Sequence, residues 1–174
     1  MKTVLLDDVN RIVVKDVSLP KLGNNDILVE MKACGLCGTD IEKIRGEYTA
    51  SKPVLGHEAT GIIVDVGQDV NQFKVGDKVF PHHHTACHNC HFCNKGNETM
   101  CNSYRNSNID PGGFSEFFRV PAWNIQNGGV LKIPLEISFE EASFIEPIAC
   151  CIRSQDRAGV SIGDSVLVIG AGPM

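Results

Sequence analysis

Residues 59–67 read ATGIIVDVG, and the fold class turns on how this stretch is read. Ile62, Ile63, Val64 and Val66 carry stiff, branched side chains that fit a pleated, half-buried surface, and Gly67 supplies a turn at the end. Similar runs recur on both sides: TVLL at 3–6, RIVVKDV at 11–17, ILVEMKA at 27–33, DKVFP at 77–81, FSEFFRVP at 114–121 and GGVLKIP at 128–134. Their bounds are Gly, Pro, Asn and Asp. Short strands of this kind, with no repeat and no low-complexity linker, predict a mainly β chain forming a barrel or sandwich.

The pattern changes at Ser138. Ser138 and Glu141 stand in capping-box spacing, and FEEASFI at 139–145 then offers one short helix. Pro147 suits a first helical turn and pushes the residue before it out of helical geometry, so a second helix is expected to start there and run to about Gly159. Glu146 then falls at a break between helices, where its side chain can project into a gap. The closing stretch, DSVLVIGAGPM at 164–174, reads as a buried strand over 164–169 running into Gly170 and Gly172. A G-x-G-x-x-G turn after a strand is how dinucleotide-binding folds begin, and its third glycine would fall one position past Met174. The chain therefore reads as a fragment, with residues 1–145 as one β domain and 146–174 as a connector helix and the first strand of a truncated α/β domain.

Composition narrows the partners. The 174 residues carry a formal charge of -5 with Lys and Arg scattered, which offers no basic face to nucleic acid or to an anionic membrane. No apolar stretch approaches the ~18 residues of a membrane span, and MKTVLLDDVN turns acidic too soon for a signal peptide, so the cytoplasm is the expected compartment. Eight cysteines in a reducing compartment point to metal binding in preference to disulfides. The adjacent Cys150 and Cys151 cannot easily bond to each other and are read as core packing on a helix.

Cys87, Cys90, Cys93 and Cys101 stand at C-x2-C-x2-C-x7-C. Four thiolates from one loop match a tetrahedral Zn²⁺ with every position filled, which makes the site structural. An iron–sulfur cluster is the competing metal, but the ferredoxin spacings differ. His88 and His91 alternate with the cysteines and are read as solvated loop residues.

A second constellation is scattered: Cys37, Thr39 and Asp40 in GLCGTD, His57 and Glu58 in VLGHEATG, and Glu146 in FIEPI. A thiolate, an imidazole and a carboxylate would leave a zinc one open position, as catalysis requires, although spacing alone cannot bring them together. Taken in series, CGTD, GHEATGIIVDVG, the four-cysteine loop, GGFSEFFRVP, IEP and VLVIGAGPM resemble the zinc-dependent medium-chain alcohol and polyol dehydrogenases over essentially the whole chain.

That resemblance implies a GroES-like, partly open β-barrel bearing a catalytic and a structural zinc, followed by a Rossmann domain for NAD or NADP. It implies two Zn²⁺ per full-length chain and a homo-oligomer, dimer or tetramer. Cys37, His57 and Glu146 correspond to the catalytic-zinc ligands. Glu58 corresponds to an adjacent glutamate that is an outer group or an occasional ligand, Asp40 to the partner orienting His57, and Thr39 to the hydroxyl taking the alcohol proton. Gly170 and Gly172 correspond to the cofactor phosphate loop. Glutamate at 146 is the sorbitol-dehydrogenase-like choice, which points to hydride transfer from a secondary alcohol, polyol, sugar or amino alcohol. Glu42 stands where many relatives have a histidine passing the proton to solvent. His83, counted back from Cys87, falls near the wall of the substrate pocket, where a hydrogen-bonding side chain favours a hydroxyl-rich substrate. Three rivals stand against this reading: a zinc-free quinone reductase, which would lack both sets of ligands, a zinc-stabilised β-barrel that binds partners without catalysis, and a zinc-ribbon nucleic-acid binder, which the acidic charge disfavours.

Overall fold

The computed structural model describes residues 1–47, 54–170 and 172. All seven β-type runs form strands: β1 (Lys2–Asp8), β2 (Arg11–Asp16), β3 (Ile27–Gly35), β4 (Glu58–Val66), β5 (Lys78–Pro81), β6 (Phe117–Val120) and β7 (Val130–Lys132). The first two make an antiparallel hairpin around Asn10, whose φ of 59° is the left-handed conformation that asparagine tolerates. The other five form one antiparallel sheet in the order β6, β3, β4, β5, β7. Two edges stay open, as a partly open barrel requires. The hairpin is tied to the sheet by the Val4 amide donating to the Phe114 carbonyl at 2.9 Å and by a buried Thr3–Ser115 hydroxyl pair at 2.7 Å.

The main core is the inner face of this sheet. Ile27, Val29, Ile63, Val79, Phe118 and Val120 are all fully buried in one cluster. Burial of such side chains contributes about 1.5–3 kcal/mol each, and alternate positions, Ile27, Val29 and Met31 on β3 and Phe118 and Val120 on β6, pack into this cluster. A smaller cluster of Phe80, Ile133 and Ala142, flanked by Phe139 and Ile145, sits where the helices meet the sheet.

The helices follow the expected signals with two shifts. Helix α1 (Gly38–Ile44) leaves the end of β3, while α2 (Asn102–Asn106) and α3 (Ala122–Gln126) are single short turns. Ser138 caps α4 (Phe139–Ser143) through a reciprocal pair: the Glu141 amide donates to Ser138 Oγ at 3.1 Å, and the Ser138 amide to Glu141 Oε2 at 2.8 Å. The longest helix, α5 (Ile145–Ala158), begins two residues before Pro147. Proline is tolerated there because a first-turn amide has no partner within the helix. Glu146 thus lies in the first turn of α5, beyond the break. Gly159, at φ 70°, ends the helix in the left-handed conformation.

Two readings are corrected. Cys150 is exposed and Cys151 half-buried, and α5 buries none of its residues, so this cysteine pair is not core packing. Residues 164–169 form no strand, and Val166, Leu167, Val168 and Ile169 are all exposed. A strand of a parallel sheet takes its hydrogen bonds from neighbours reached by long crossovers, and none of the described residues pairs with this segment. Of the glycine-rich turn that follows, Gly170 and Gly172 are described, while Ala171, Pro173 and Met174 lie outside the described residues.

Candidate metal centres and pocket

The four-cysteine loop closes on itself. Cys90 and Cys93 sulfurs stand 3.5 Å apart, Cys101 and Cys87 3.5 Å, and Cys87 and Cys93 3.9 Å. All are free thiols. Four sulfurs bonded at ~2.3 Å to a tetrahedral ion stand about 3.8 Å apart, so the donor set fits zinc in both chemistry and spacing. Local backbone prepares the charge. Cys101 precedes α2, and the amides of Cys87, Tyr104 and Ser103 pull its thiol down to about 6. Burial and the neighbouring thiols push Cys93 up to about 12. Four like groups this close cannot all ionise without a cation to share. His88 and His91 are exposed and stand outside the cluster, as expected.

The second centre is assembled from two segments. Cys37 Sγ, a ring nitrogen of His57 and a carboxylate oxygen of Glu58 all lie within 4.8 Å of one another. Cys37 is the N-cap of α1, His57 immediately precedes β4, and Glu58 opens that strand, which pairs with β3 so that Glu58 faces Gly35. Gly35 leaves room for this placement: a β-carbon there would overlap the Glu58 carboxylate, which would have to swing away. Burial raises the affinity of Glu58 for its proton, and the charges of Glu146 and Asp40 act the same way, against His57 and Cys37. A cation at the cluster would stabilise such a carboxylate as an anion.

Asp40 organises this centre. Fully buried, it accepts the Gly56 amide on Oδ1 at 3.0 Å and the Cys37 amide on Oδ2 at 3.2 Å. His57 Nδ1 stands 3.4 Å from Oδ1, and Lys43 Nζ lies 4.0 Å from the same oxygen. Burial opposes its ionisation, but His57 and the two amides more than compensate and hold the carboxyl below the usual range. His57 Nδ1 is buried with no tighter partner, so Asp40 is its orienting group. Gly56 can turn its amide inward because φ is +73°, and a β-carbon there would sit 2.6 Å from the Phe114 nitrogen.

The remaining sequence-derived candidates fall around this centre. Thr39 is half-buried at the second position of α1, and Glu42 is exposed on the same helix. Glu146 is not among the three converging donors, but it accepts from Cys150 Sγ at 3.6 Å, and its charge adds to the burial that raises the Glu58 pKa. His83 is buried, with its ring 4.9 Å from that of His57 and 4.1 Å from that of His84. Burial, then the neighbouring histidines, drive its pKa well down, so it is neutral, and its Nδ1 is buried without a partner. Gly170 and Gly172 are remote from these contacts.

Two positions were invisible in the sequence. The fully buried Asn124 on α3 donates to the carbonyls of His82 at 2.9 Å and His83 at 3.0 Å and so fixes the path of the histidine run. Gly35 reads as an ordinary strand end until Glu58 is seen across from it. Neither carries a local signal, because each is defined by a partner distant in sequence.

Known proteins agree with this architecture. Residues 23–134 match the alcohol dehydrogenase GroES-like domain, and the chain belongs to that family. It is 39% identical over 166 residues to an alcohol dehydrogenase of Geobacillus stearothermophilus, covering 92% of this chain and 44% of that protein. It is 34% identical over 165 residues to an L-threonine 3-dehydrogenase of Pseudoalteromonas translucida, covering 91% and 47%. Among solved structures, a short chain alcohol dehydrogenase (rspB) of Escherichia coli CFT073, complexed with NADH, superposes with a TM-score of 0.85 at 30% identity, covering 99% of this chain and 50% of that one. The chain spans about half the length of the curated relatives it matches. Among the described residues, no helix is long and apolar enough to cross a membrane.

Proposed function

We propose that this chain is the zinc-binding catalytic portion of an NAD(P)-dependent dehydrogenase that oxidises a secondary alcohol, polyol, sugar or amino alcohol. The observation that carries the reading is the convergence of Cys37, His57 and Glu58 within 4.8 Å, separate from a four-cysteine cluster that is already complete. A zinc ion held by Cys37, His57 and a carboxylate, Glu58 or Glu146, would supply Lewis acidity toward the substrate hydroxyl. The likeness to an L-threonine 3-dehydrogenase supports an amino alcohol or similarly polar substrate.

The chain's own residues then have defined work. Asp40 holds the His57 ring so that its other nitrogen faces the cluster. Thr39, at the start of α1 two residues from Cys37, takes the hydroxyl proton. His83 stays neutral, so it can give or accept a hydrogen bond from a further substrate hydroxyl without adding positive charge beside the cluster. Residues 1–145 make this catalytic domain. Residues 146–174 lead toward the nucleotide domain, where Gly170 and Gly172 would approach the NAD(P) phosphates.

The test is metal analysis with a substrate panel. The wild-type chain is expected to bind two zinc ions and Cys37→Ala one, with the β core unchanged. The complete protein should oxidise polyols, sugars or amino alcohols with NAD or NADP, and the isolated 174 residues should bind zinc without turnover. A single zinc in the wild-type chain would sink the reading.

A further inference from the structure

Helix α5 buries none of its residues, and Ile148 and Ile152 on it are each 53% exposed. Its N-terminus is seated by Ile145 against Phe80, Ile133 and Ala142. Its C-terminal half finds partners elsewhere. Arg153 directs Nη1 and Nη2 at Glu98 Oε2, each at 3.4 Å, and Nη2 also donates to the Gly96 carbonyl at 3.3 Å. Arg157, one turn on, donates from Nη2 to that carbonyl at 2.5 Å and to Asn97 Oδ1 at 2.7 Å.

All these acceptors lie between Cys93 and Cys101, and the two cysteines fix their directions. Gly96, at φ 67°, ends the 3₁₀ turn that starts at Cys93, with its amide bonded to the Cys93 carbonyl at 2.9 Å. The Cys101 amide bonds the Glu98 carbonyl at 2.9 Å. At the other end of the helix, Glu146 lies in the first turn and accepts from Cys150 Sγ at 3.6 Å.

We propose that Arg153 and Arg157 are positioning residues that clasp helix α5 to the four-cysteine loop, so that this loop sets the pose of the helix whose first turn carries Glu146. Guanidinium suits the task because its rigid fork engages a carboxylate and a carbonyl together, which an ammonium group cannot do in one geometry. The inference needs only a closed loop. It goes beyond the dehydrogenase reading and stands if that reading fails.

Amide hydrogen exchange on the 174-residue chain tests it. Both arginines are exposed or nearly so, and their pairs are individually weak, so the fold survives the double variant Arg153→Gln, Arg157→Gln. Exchange across 146–158 is expected to rise about tenfold while β3 and β4 stay unchanged. Cys93→Ser should accelerate the same amides, and adding it to the arginine variant should accelerate them little further. Should Cys93→Ser not fold, Glu98→Gln with Asn97→Ala removes the acceptors and leaves the thiols, with the same expected rise. Alkylation of the Cys150 thiol separates positioning from bulk stability: it should quicken in the clasp variants and stay fast with lysine at 153 and 157. Unchanged α5 exchange in the arginine variant, or fully additive effects of the arginine and cysteine changes, would overturn the proposal.

Discussion

The four-cysteine loop takes all its donors from one stretch, Cys87 to Cys101, and three of the four are only half-buried. The Cys37, His57 and Glu58 cluster needs a helix cap and a strand start brought together across a sheet, and two of its three members are buried. The first is organised by its own backbone; the second depends on Asp40, Gly35 and Gly56, none of which supplies a donor to it. A local cluster can therefore hold its metal through a shift of the surrounding fold. An assembled one records every such shift, and that sensitivity suits a site whose reactivity depends on geometry.

The largest effect should separate the two centres outright. His57→Ala is expected to lower zinc content from two ions to one while the knuckle keeps its ion, and on the proposed dehydrogenase reading to abolish turnover in the complete protein, by at least ~10³-fold. Loss of both ions together would show the centres to be one cooperative unit. Cys101→Ser strikes the other side: it should remove the knuckle ion and lower unfolding free energy by several kcal/mol, read by chemical denaturation, with the His57 centre still able to take metal. Asp40→Asn, which leaves both donor sets intact, should weaken zinc at the assembled centre alone by about 10–100-fold in a chelator competition.

Smaller changes sharpen the contrast. Gly35→Ala drives a methyl group into the Glu58 carboxylate and is expected to cost about 1–3 kcal/mol while perturbing the assembled centre only, seen as altered visible bands after Co²⁺ substitution. The smallest effect lies away from both centres, at Asp26. Burial opposes its ionisation, but the amides of Gly23 and Ala122 and the Arg119 guanidinium, at 2.9 Å, hold its pKa below the ordinary value. A depressed folded pKa stabilises the fold above the unfolded value, ~3.9, and that contribution is lost as pH falls through the folded value. Asp26→Asn should therefore cost about 1–2 kcal/mol at pH 7, with the gap to wild type closing as denaturation is repeated below pH 4.

Legibility in the sequence follows the same divide. Strand runs with branched residues between turn formers located every strand, and the capping box located α4, because these signals are written in neighbouring residues. The cysteine spacing revealed the knuckle for the same reason. At the assembled centre the sequence supplied the cast without the arrangement: Glu58 and Glu146 were both visible as carboxylates, yet only pairing of β3 with β4 brings Glu58 and its chain neighbour His57 to Cys37, all within 4.8 Å. The stretch at 164–169 taught the reverse lesson. Its composition is that of a buried strand, but a strand exists only with a neighbour, and none of the described residues provides one.

The two bonds from Asn124 to the main chain of the histidine run have an evolutionary corollary. The loop is held by its carbonyls, and the His82 and His84 rings brace it through bonds to the His84 and Ser107 carbonyls, whereas the His83 ring is a tenant of a frame it does not support. Residue 83 can then be exchanged for an aromatic or an aliphatic group with the loop left standing, and on the proposed reading of His83 as part of the substrate pocket a lineage can try new substrates one substitution at a time. An asparagine out of reach of the reacting atoms would be the residue that makes such trials survivable.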